Sequence, residues 1–577
     1  MLSWIFIGAT SYIVGMCVQN LLCFLLHTDR AIYAKYMKHP HILRVLCGLC
    51  TVNVFAQIFS LFGPVGFGAD MLLLLLCLLL LIIDKGRIFK ELKTFDFNDH
   101  KASFIAYIVL VMIFSYGTSR GYMHFDTNLY HAQAIRWIEE YGVVPGLANI
   151  QSRFGYNSAE FALNAIYGFK WMLGRSLHTT SGFFSLISSF VAFGIIRCIK
   201  RDEGGKIVVS PSVSDYARLG LIYYLGIIYS DIVSPASDNY AGVLIFDIVI
   251  LWLDATEIRE GENPADRKSD TVYAIMGILS VLSVYAVTIK LSVCVLVLLA
   301  FIPGIYWIKN RDIKSIAVCL LSGLAIAIPF FVRGYIISGW ILYPSTVIGF
   351  GHPDWAMPEG MAVYDAKEIG MWGRGITDAA RWSQITAFNW MPGWWNSLGA
   401  VEKLLFMGMV ISVVCSIACV MIALIKRDGN FFYGQLPVML TISAGAVLWF
   451  FSAPLIRYGY PYLILMPTLF LGYVMKYFIR NDRSGGMVFL FVFLALCALR
   501  IRGLVKDVKR TVGWEYYVNQ QDYIDAEAHS FSVGDIVFWY SEDSGQIGYY
   551  KFPATAEERH DFTLRGDDLS DGFKHVE

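Results

Sequence analysis

Apolar and polar positions along this chain fall in long alternating blocks, not residue by residue. Roughly fourteen stretches are apolar over a bilayer-crossing length: about 2–26, 41–62, 69–84, 103–119, 178–198, 216–233, 238–255, 271–289, 291–308, 314–336, 400–425, 433–451, 457–478 and 486–501. The run from Met71 to Ile83 carries no charge, as a segment in hydrocarbon must. The pattern predicts an all-α polytopic membrane protein. Three long polar stretches interrupt it: 120–177, 338–399 and 502–577. The first predicts two helices, about 127–141 and 158–173, with Asn157-Ser158-Ala159-Glu160 reading as a capping box for the second. Tyr130, Ala134, Trp137 and Tyr141 share one face of the first, suiting a helix that lies in the membrane interface. In the tail, Ser532 to Tyr540 alternates like a strand. The expected organisation is a transmembrane domain over 1–501, including the loops 120–177 and 338–399, and a small extracytoplasmic C-terminal domain over 502–577.

Lysine and arginine set the expected orientation, because cytoplasmic loops carry their excess. One set of connections is basic: Arg30/Lys35/Lys38, Lys85/Arg87/Lys90/Lys93, Arg197/Lys200/Arg201/Lys206, Arg259/Arg267/Lys268, Lys309/Arg311/Lys314, Lys426/Arg427 and Lys476/Arg480/Arg483. These alternate with the other set, which places both termini and all three polar stretches outside. The first segment, about 2–26, lacks a basic leader and a small-residue cleavage site, so it reads as a retained helix and not a signal peptide.

Composition agrees. Of 577 residues, 56% are hydrophobic and 16% charged, where a soluble domain carries about a quarter charged; mean hydropathy is +0.54. The formal net charge is zero, which gives no reason to expect a nucleic-acid partner. All eleven cysteines lie in or beside apolar segments, so no disulfide framework is expected, and Cys47-Gly-Leu-Cys50 reads as packing.

The unusual polar residues gather on the outer side. Asp126 lies in His124-Phe-Asp-Thr-Asn-Leu-Tyr-His131, just after an apolar segment. Asp231 and Asp238 flank Ser234-Pro235-Ala236-Ser237 at a hairpin tip. Lys290, Arg333 and Arg457 each stand at the outer end of an apolar segment. Ionisable groups at membrane depth are costly and mark function. Each also has a plainer reading: Asp126, Asp231 and Asp238 as helix caps, the three cations as side chains snorkelling to the interface. Outer cations run against the positive-inside bias, and acids and cations together suit a base or metal site beside a phosphate. Tyr130, His131 and the tryptophans of 338–399, Trp355 among them, are candidates for substrate contact; an interfacial belt accounts for the tryptophans equally well. His124 and His131 lack a third ligand at metal-binding spacing. No phosphate loop, nucleophile elbow or zinc motif occurs.

On these residues the chain resembles the GT-C superfamily of integral-membrane glycosyltransferases over about 100–480: an acid in the first large outer loop, amphipathic helices after it, and a short acid-bearing hairpin. Phe125-Asp-Thr-Asn-Leu-Tyr-His131, Tyr141-Gly-Val-Val-Pro-Gly-Leu-Ala148, Ser234-Pro235, Lys290-Leu-Ser292 and Arg457-Tyr-Gly459 are also similar to strings in a family of bacterial polytopic membrane proteins, a likeness that supplies no activity. The superfamily resemblance implies an inverting glycosyltransferase of the bacterial inner membrane that uses a polyprenyl-phosphate-linked sugar donor and a glycan, lipid or protein acceptor. It implies Asp126 as base or divalent-metal ligand, Asp238 or Asp231 as second acid, and Lys290, Arg333 and Arg457 as phosphate ligands. Where superfamily members carry paired acids, this chain has Asp126-Thr127-Asn128, which leaves metal use open. The alternatives are a polymerase or ligase of lipid-linked glycans, and a lipid or glycan transporter or flippase, which predicts inverted repeats.

Overall fold

The structure, a computed structural model, describes residues 2–28, 39–86, 88, 101–201, 204–260, 269–351, 353–478, 482–511 and 513–576. Arg30, Lys35, Lys38, Arg87, Lys90, Lys93, Arg267, Lys268 and Arg480 lie outside the described residues.

The chain is mostly helical, and every predicted apolar segment falls on helix. In chain order these are α1 (Leu2–Leu25), α2 (Pro40–Ser60), α3 (Phe67–Ile83) and α4 (Lys101–Ser119), then the short α5 (Ala132–Glu140), α6 (Ala159–Ile166) and α7 (Lys170–Leu173) of the first polar stretch. They continue as α8 (Thr180–Phe193), α9 (Val213–Ile228), α10 (Ser237–Glu260), α11 (Ser269–Ile289), α12 (Phe301–Lys309) and α13 (Ile313–Ser338). Beyond these lie α14 (Glu359–Gly373), α15 (Met391–Ser397), α16 (Ala400–Lys426), α17 (Leu436–Ser452), α18 (Ile456–Phe478) and α19 (Asp482–Thr511). Among the described residues, 10 helices are long and apolar enough to cross a membrane, and Phe67–Ile83 and Ser103–Ser119 are shorter apolar ones. The protein is therefore a multi-pass helical membrane protein. Its eleven cysteines are free.

Helix α10 is the axis. It packs against α8, α9, α11 and α18, and its length from Tyr240 to Ala255 is buried. Its buried Asp254 accepts a 2.5 Å bond from buried Arg218 of α9, which also meets Asp215 at 3.1 Å. The segment after α11 departs from expectation. Leu291–Ala300 is a ten-residue 3₁₀ helix, not the first half of an α-helix. Three residues per turn aligns Val293, Leu296 and Leu299, the three buried positions, into one straight stripe. The steeper rise lengthens the span by roughly 5 Å over an α-helix. This makes 19 residues, Leu291–Lys309, long enough for a bilayer.

The three polar stretches meet at one end of the bundle. The predicted 127–141 helix begins as a π turn, Thr127–His131, before α5. The predicted 158–173 helix breaks at Phe169, whose φ is 55°. The expected capping box is absent: Ser158 Oγ donates to Ile289 O (2.7 Å), and Glu160 accepts from Asn164 (2.7 Å). The Trp137 face of α5 is covered by protein, not by lipid: its indole packs on Tyr141, Phe552 and Phe573. Ser532 to Tyr540 is a hairpin and not one strand. Strands β3 (His529–Val533) and β4 (Ile536–Tyr540) pair across Gly534-Asp535, numbered after the small pair β1 (Ile199–Arg201) and β2 (Ile207–Val209). Gly534 takes φ 61°, the left-handed turn that glycine supplies without a Cβ clash. A second pair, β5 (Phe562–Leu564) and β6 (Phe573–His575), completes the tail. The division expected at 501/502 falls inside α19, which runs to Thr511. Phe531, Phe538, Phe562 and Phe573 belong to the same apolar core as the helices.

Helices α1 and α2 pack at close range. A Cβ on Gly15 would lie 1.8 Å from Arg44 O, and one on Gly48 would lie 1.8 Å from Ser11 O. Small residues here let two membrane helices touch backbone to backbone. Gly48→Ala should force them apart and destabilise the protein by about 1–3 kcal/mol, read as a lowered midpoint of thermal unfolding in detergent. An unchanged midpoint would mean that this contact contributes nothing to stability.

Candidate functional site

Asp126, Asp238, Lys290 and Arg457 line one cavity of about 310 Å³ at the loop-bearing end of the bundle. All four stand at element ends. Asp126 immediately precedes the π turn, and its side chain makes no capping bond. Asp238 opens α10. Lys290 is the extended residue between α11 and the 3₁₀ helix. Arg457 is the second residue of α18. The hairpin between α9 and α10 fixes the first two together: Tyr122 N donates to Ser230 O (2.7 Å), and His124 N donates to Ser234 Oγ (2.7 Å). Across the cavity, Trp394 Nε1 donates to Pro454 O (2.8 Å) and Trp449 Nε1 to Leu455 O (2.9 Å), shaping the turn that delivers Arg457.

The four charges form one network. Arg457 donates through Nη2 to Asp126 Oδ2 (2.7 Å), and its Nε lies 3.2 Å from Asp238 Oδ2. Lys290 is hydrogen-bonded to the other oxygen of Asp238. The Tyr458 ring sits beneath both cations, 3.5 Å from Lys290 Nζ and 5.0 Å from Arg457 Cζ. His124 touches Arg457 and also lies 3.5 Å from Asp126 Oδ2. Burial, the largest influence, works to raise the Asp126 carboxyl, but the Arg457 guanidinium together with His131 and His124 outweighs it and holds the group below its ordinary value. Burial, then Arg457, lowers His124. His131, which also lines the cavity, is pushed down to about 3, first by burial. At neutral pH the cavity therefore presents ionised Asp126 beside uncharged imidazoles. Tyr130 lines the same wall.

Three predicted site residues lie elsewhere. Arg333 is buried in α13, where it donates to Asn157 Oδ1 (3.1 Å) and to Ser60 Oγ; it ties helices together and does not line the cavity. Asp231 stays on the hairpin, with Ser230 Oγ 3.3 Å from its Oδ1. The Trp355 indole donates to Tyr335 O (3.4 Å) and lies against Arg565. Arg153 was not singled out from the sequence, yet it lines the cavity. It reaches Asp365 (3.0 Å) and Glu368 (2.6 Å) of α14 and lies over Trp372, 5.1 Å from the ring centroid. The signal that marks Arg457, a charge at the end of an apolar segment, is missing at Arg153, which lies within the polar stretch 120–177. Among the described residues, no three His, Cys, Asp or Glu side chains are grouped to hold a metal ion.

Residues 1–464 match the family described as Domain of unknown function (DUF8201). The chain belongs to that family. Every cavity-lining residue, from His124 to Tyr462, falls within the DUF8201 match, and the tail strands fall beyond it. None of the curated proteins and none of the solved structures matches the chain.

His131 is 2% exposed and buried in its neutral form, while in the unfolded chain it titrates near 6.5. The unfolded state therefore binds the extra proton first as pH falls. Unfolding free energy should drop by about 1.4 kcal/mol per pH unit for this group as pH falls from about 6 toward 3. His131→Phe should flatten the pH dependence of unfolding by that one-proton slope. An unaltered slope would show that His131 does not carry it.

Proposed function

We propose that the protein is a membrane glycosyltransferase of GT-C-like architecture, moving a sugar from a polyprenyl-phosphate-linked donor to an acceptor with inversion. The observation that carries this reading is the shared cavity of Asp126, Asp238, Lys290 and Arg457. Two carboxylates and two cations meet there at helix ends, within reach of a lipid whose headgroup lies at the membrane surface. In this reading the cavity faces the extracytoplasmic side of a bacterial inner membrane. Support comes from Lys200, Arg201 and Lys206, Lys309 and Arg311, and Lys426 and Arg427, which sit on connections at the opposite end of the bundle.

The donor phosphate competes with the carboxylates for Lys290 and Arg457, as charge-assisted bonds to phosphate allow. Arg457 then turns from Asp126 to the phosphate. The freed Asp126 carboxylate accepts the proton of the acceptor hydroxyl. The acceptor oxygen bonds to the anomeric carbon, the bond from that carbon to the phosphate oxygen breaks, and the two cations hold the leaving phosphate. Asp238 keeps both cations in place between turnovers. Among the described residues, no three His, Cys, Asp or Glu side chains group into a metal site at the cavity, and each step uses the chain's own groups. Arg153 favours a second reading, polymerisation or ligation of lipid-linked glycans, because a third cation at the cavity suits an anionic second substrate. The size of the product separates the two: a single added sugar or a joined chain.

Asp126→Asn keeps shape and removes the base. It should lower transfer by roughly 10²–10⁴-fold while the protein stays folded and inserted. Lys290→Ala should weaken binding of polyprenyl phosphate by about 1.5–3 kcal/mol. Near-normal turnover in both Asp126→Asn and Asp238→Asn would remove the mechanism. Orientation is checked separately: a cysteine at exposed Ser532 should react with an impermeant reagent on intact cells, and one at exposed Arg427 only after lysis. The reverse pattern would put the cavity on the cytoplasmic side.

A further inference from the structure

The π turn that follows Asp126 is the least ordinary backbone in the site. In an α-helix each carbonyl accepts from the N–H four residues on. Here Ala132 N donates to Thr127 O, five residues back. Such turns are rare, cluster at functional sites, and leave the backbone needing outside partners. The partners come from the far end of the chain. Ile547 N and Gly548 N both donate to Asn128 O, at 3.0 and 2.9 Å. Fully buried Gln133 donates its side-chain amide to Gly548 O (2.9 Å) and Lys551 O (2.8 Å). Arg136 Nη1 donates to Tyr549 O and Tyr550 O, both at 2.8 Å. Tyr549 OH donates to Glu139 (2.7 Å). The attachment points 128, 133, 136 and 139 run down one side of the π turn and α5, while Tyr130 and His131 line the cavity. The clamp itself is fixed. Gly548 sits at φ 72°, and a Cβ there would lie 2.4 Å from Ile524 O.

We propose that residues 547–551 are a positioning element for the site. They hold the π turn open and thereby set the Asp126 carboxylate against Arg457, and Gln133 is the principal positioning residue. The segment lies outside the DUF8201 match, so a site built within the family region is held in shape by a part of the chain beyond it. Removing the Gln133 amide frees two carbonyls of the clamp without touching the cavity. The consequence for turnover rests on the transferase reading; the structural consequence does not.

The test uses the full chain in detergent with Gln133→Leu and the milder Arg136→Ala, which keeps the experiment informative if the buried leucine prevents folding. Hydrogen exchange of the 127–133 amides should quicken by about tenfold or more, in proportion to the hydrogen bonds lost. Carbodiimide labelling of Asp126, followed by mass spectrometry, should rise as its pairing with Arg457 loosens. Exchange in α10 and α11, and labelling of Asp238, should stay unchanged. Affinity for polyprenyl phosphate, the probe for the Lys290 end, should stay within about twofold, while turnover with a polyprenyl-phosphate-linked sugar falls about 10²-fold. Exchange and labelling equal to wild type in both variants would overturn the clamp. Faster exchange without a change at Asp126 would also overturn it, by reducing the segment to ordinary support. Wild-type protein that transfers no sugar would count against the transferase reading alone, and the exchange and labelling results would still decide the clamp.

Discussion

Arg457 standing between Asp126 and Asp238 is the interaction on which the rest of the site depends. Two carboxylates in one half-buried cavity repel each other and lose hydration, and each alone would favour its neutral form. One guanidinium reaching both, with Lys290 on the far side of Asp238, offsets that cost. A cation near a helix N-terminus is itself unfavourable, so Arg457 at the start of α18 is stable only because those acids face it. Each group is held in an otherwise poor position by the others, and a ligand that offers Arg457 a better anion shifts the whole set.

Much of this was legible in the sequence, because charges next to long apolar segments are few and each must have a partner or reach water. Asp126, Asp238, Lys290 and Arg457 all stand out by that constraint. The direction in which a side chain at a helix end turns does not. Arg333 fulfils the same criterion as Arg457, yet it points into the bundle toward Ser60 and Asn157. Asp231 and Asp238 share one hairpin, yet only Asp238 stands at the cavity. Arg153 went unnoticed because its loop position has no apolar segment beside it to make its charge conspicuous.

The local backbone was less legible, for a different reason. The π turn at Thr127–His131 follows from hydrogen bonds to residues 547 and 548, more than four hundred positions away in the chain, and no local pattern encodes it. The same holds for the face of α5. Its aromatic stripe suited lipid by spacing alone, but Phe552 and Phe573 cover it. The tail looked separable because a polar stretch follows the last apolar segment. Its phenylalanines join the main core, and its backbone completes the turn beside Asp126. The 3₁₀ helix after Lys290 is likewise a tertiary outcome: ten residues, all but Ser292 apolar, read as half an α-helix, until the reach across the bilayer and a straight buried stripe favour three residues per turn.

In the function proposed, the Asp126–Arg457–Asp238–Lys290 network accepts a phosphate and releases its base when the phosphate binds. An experimental structure of the full chain with bound polyprenyl phosphate decides this. The phosphate should lie within hydrogen-bond reach of both Lys290 and Arg457, with the Arg457–Asp126 bond broken and Asp126 facing the open cavity. A phosphate bound elsewhere, with Arg457 still paired to Asp126, would contradict it.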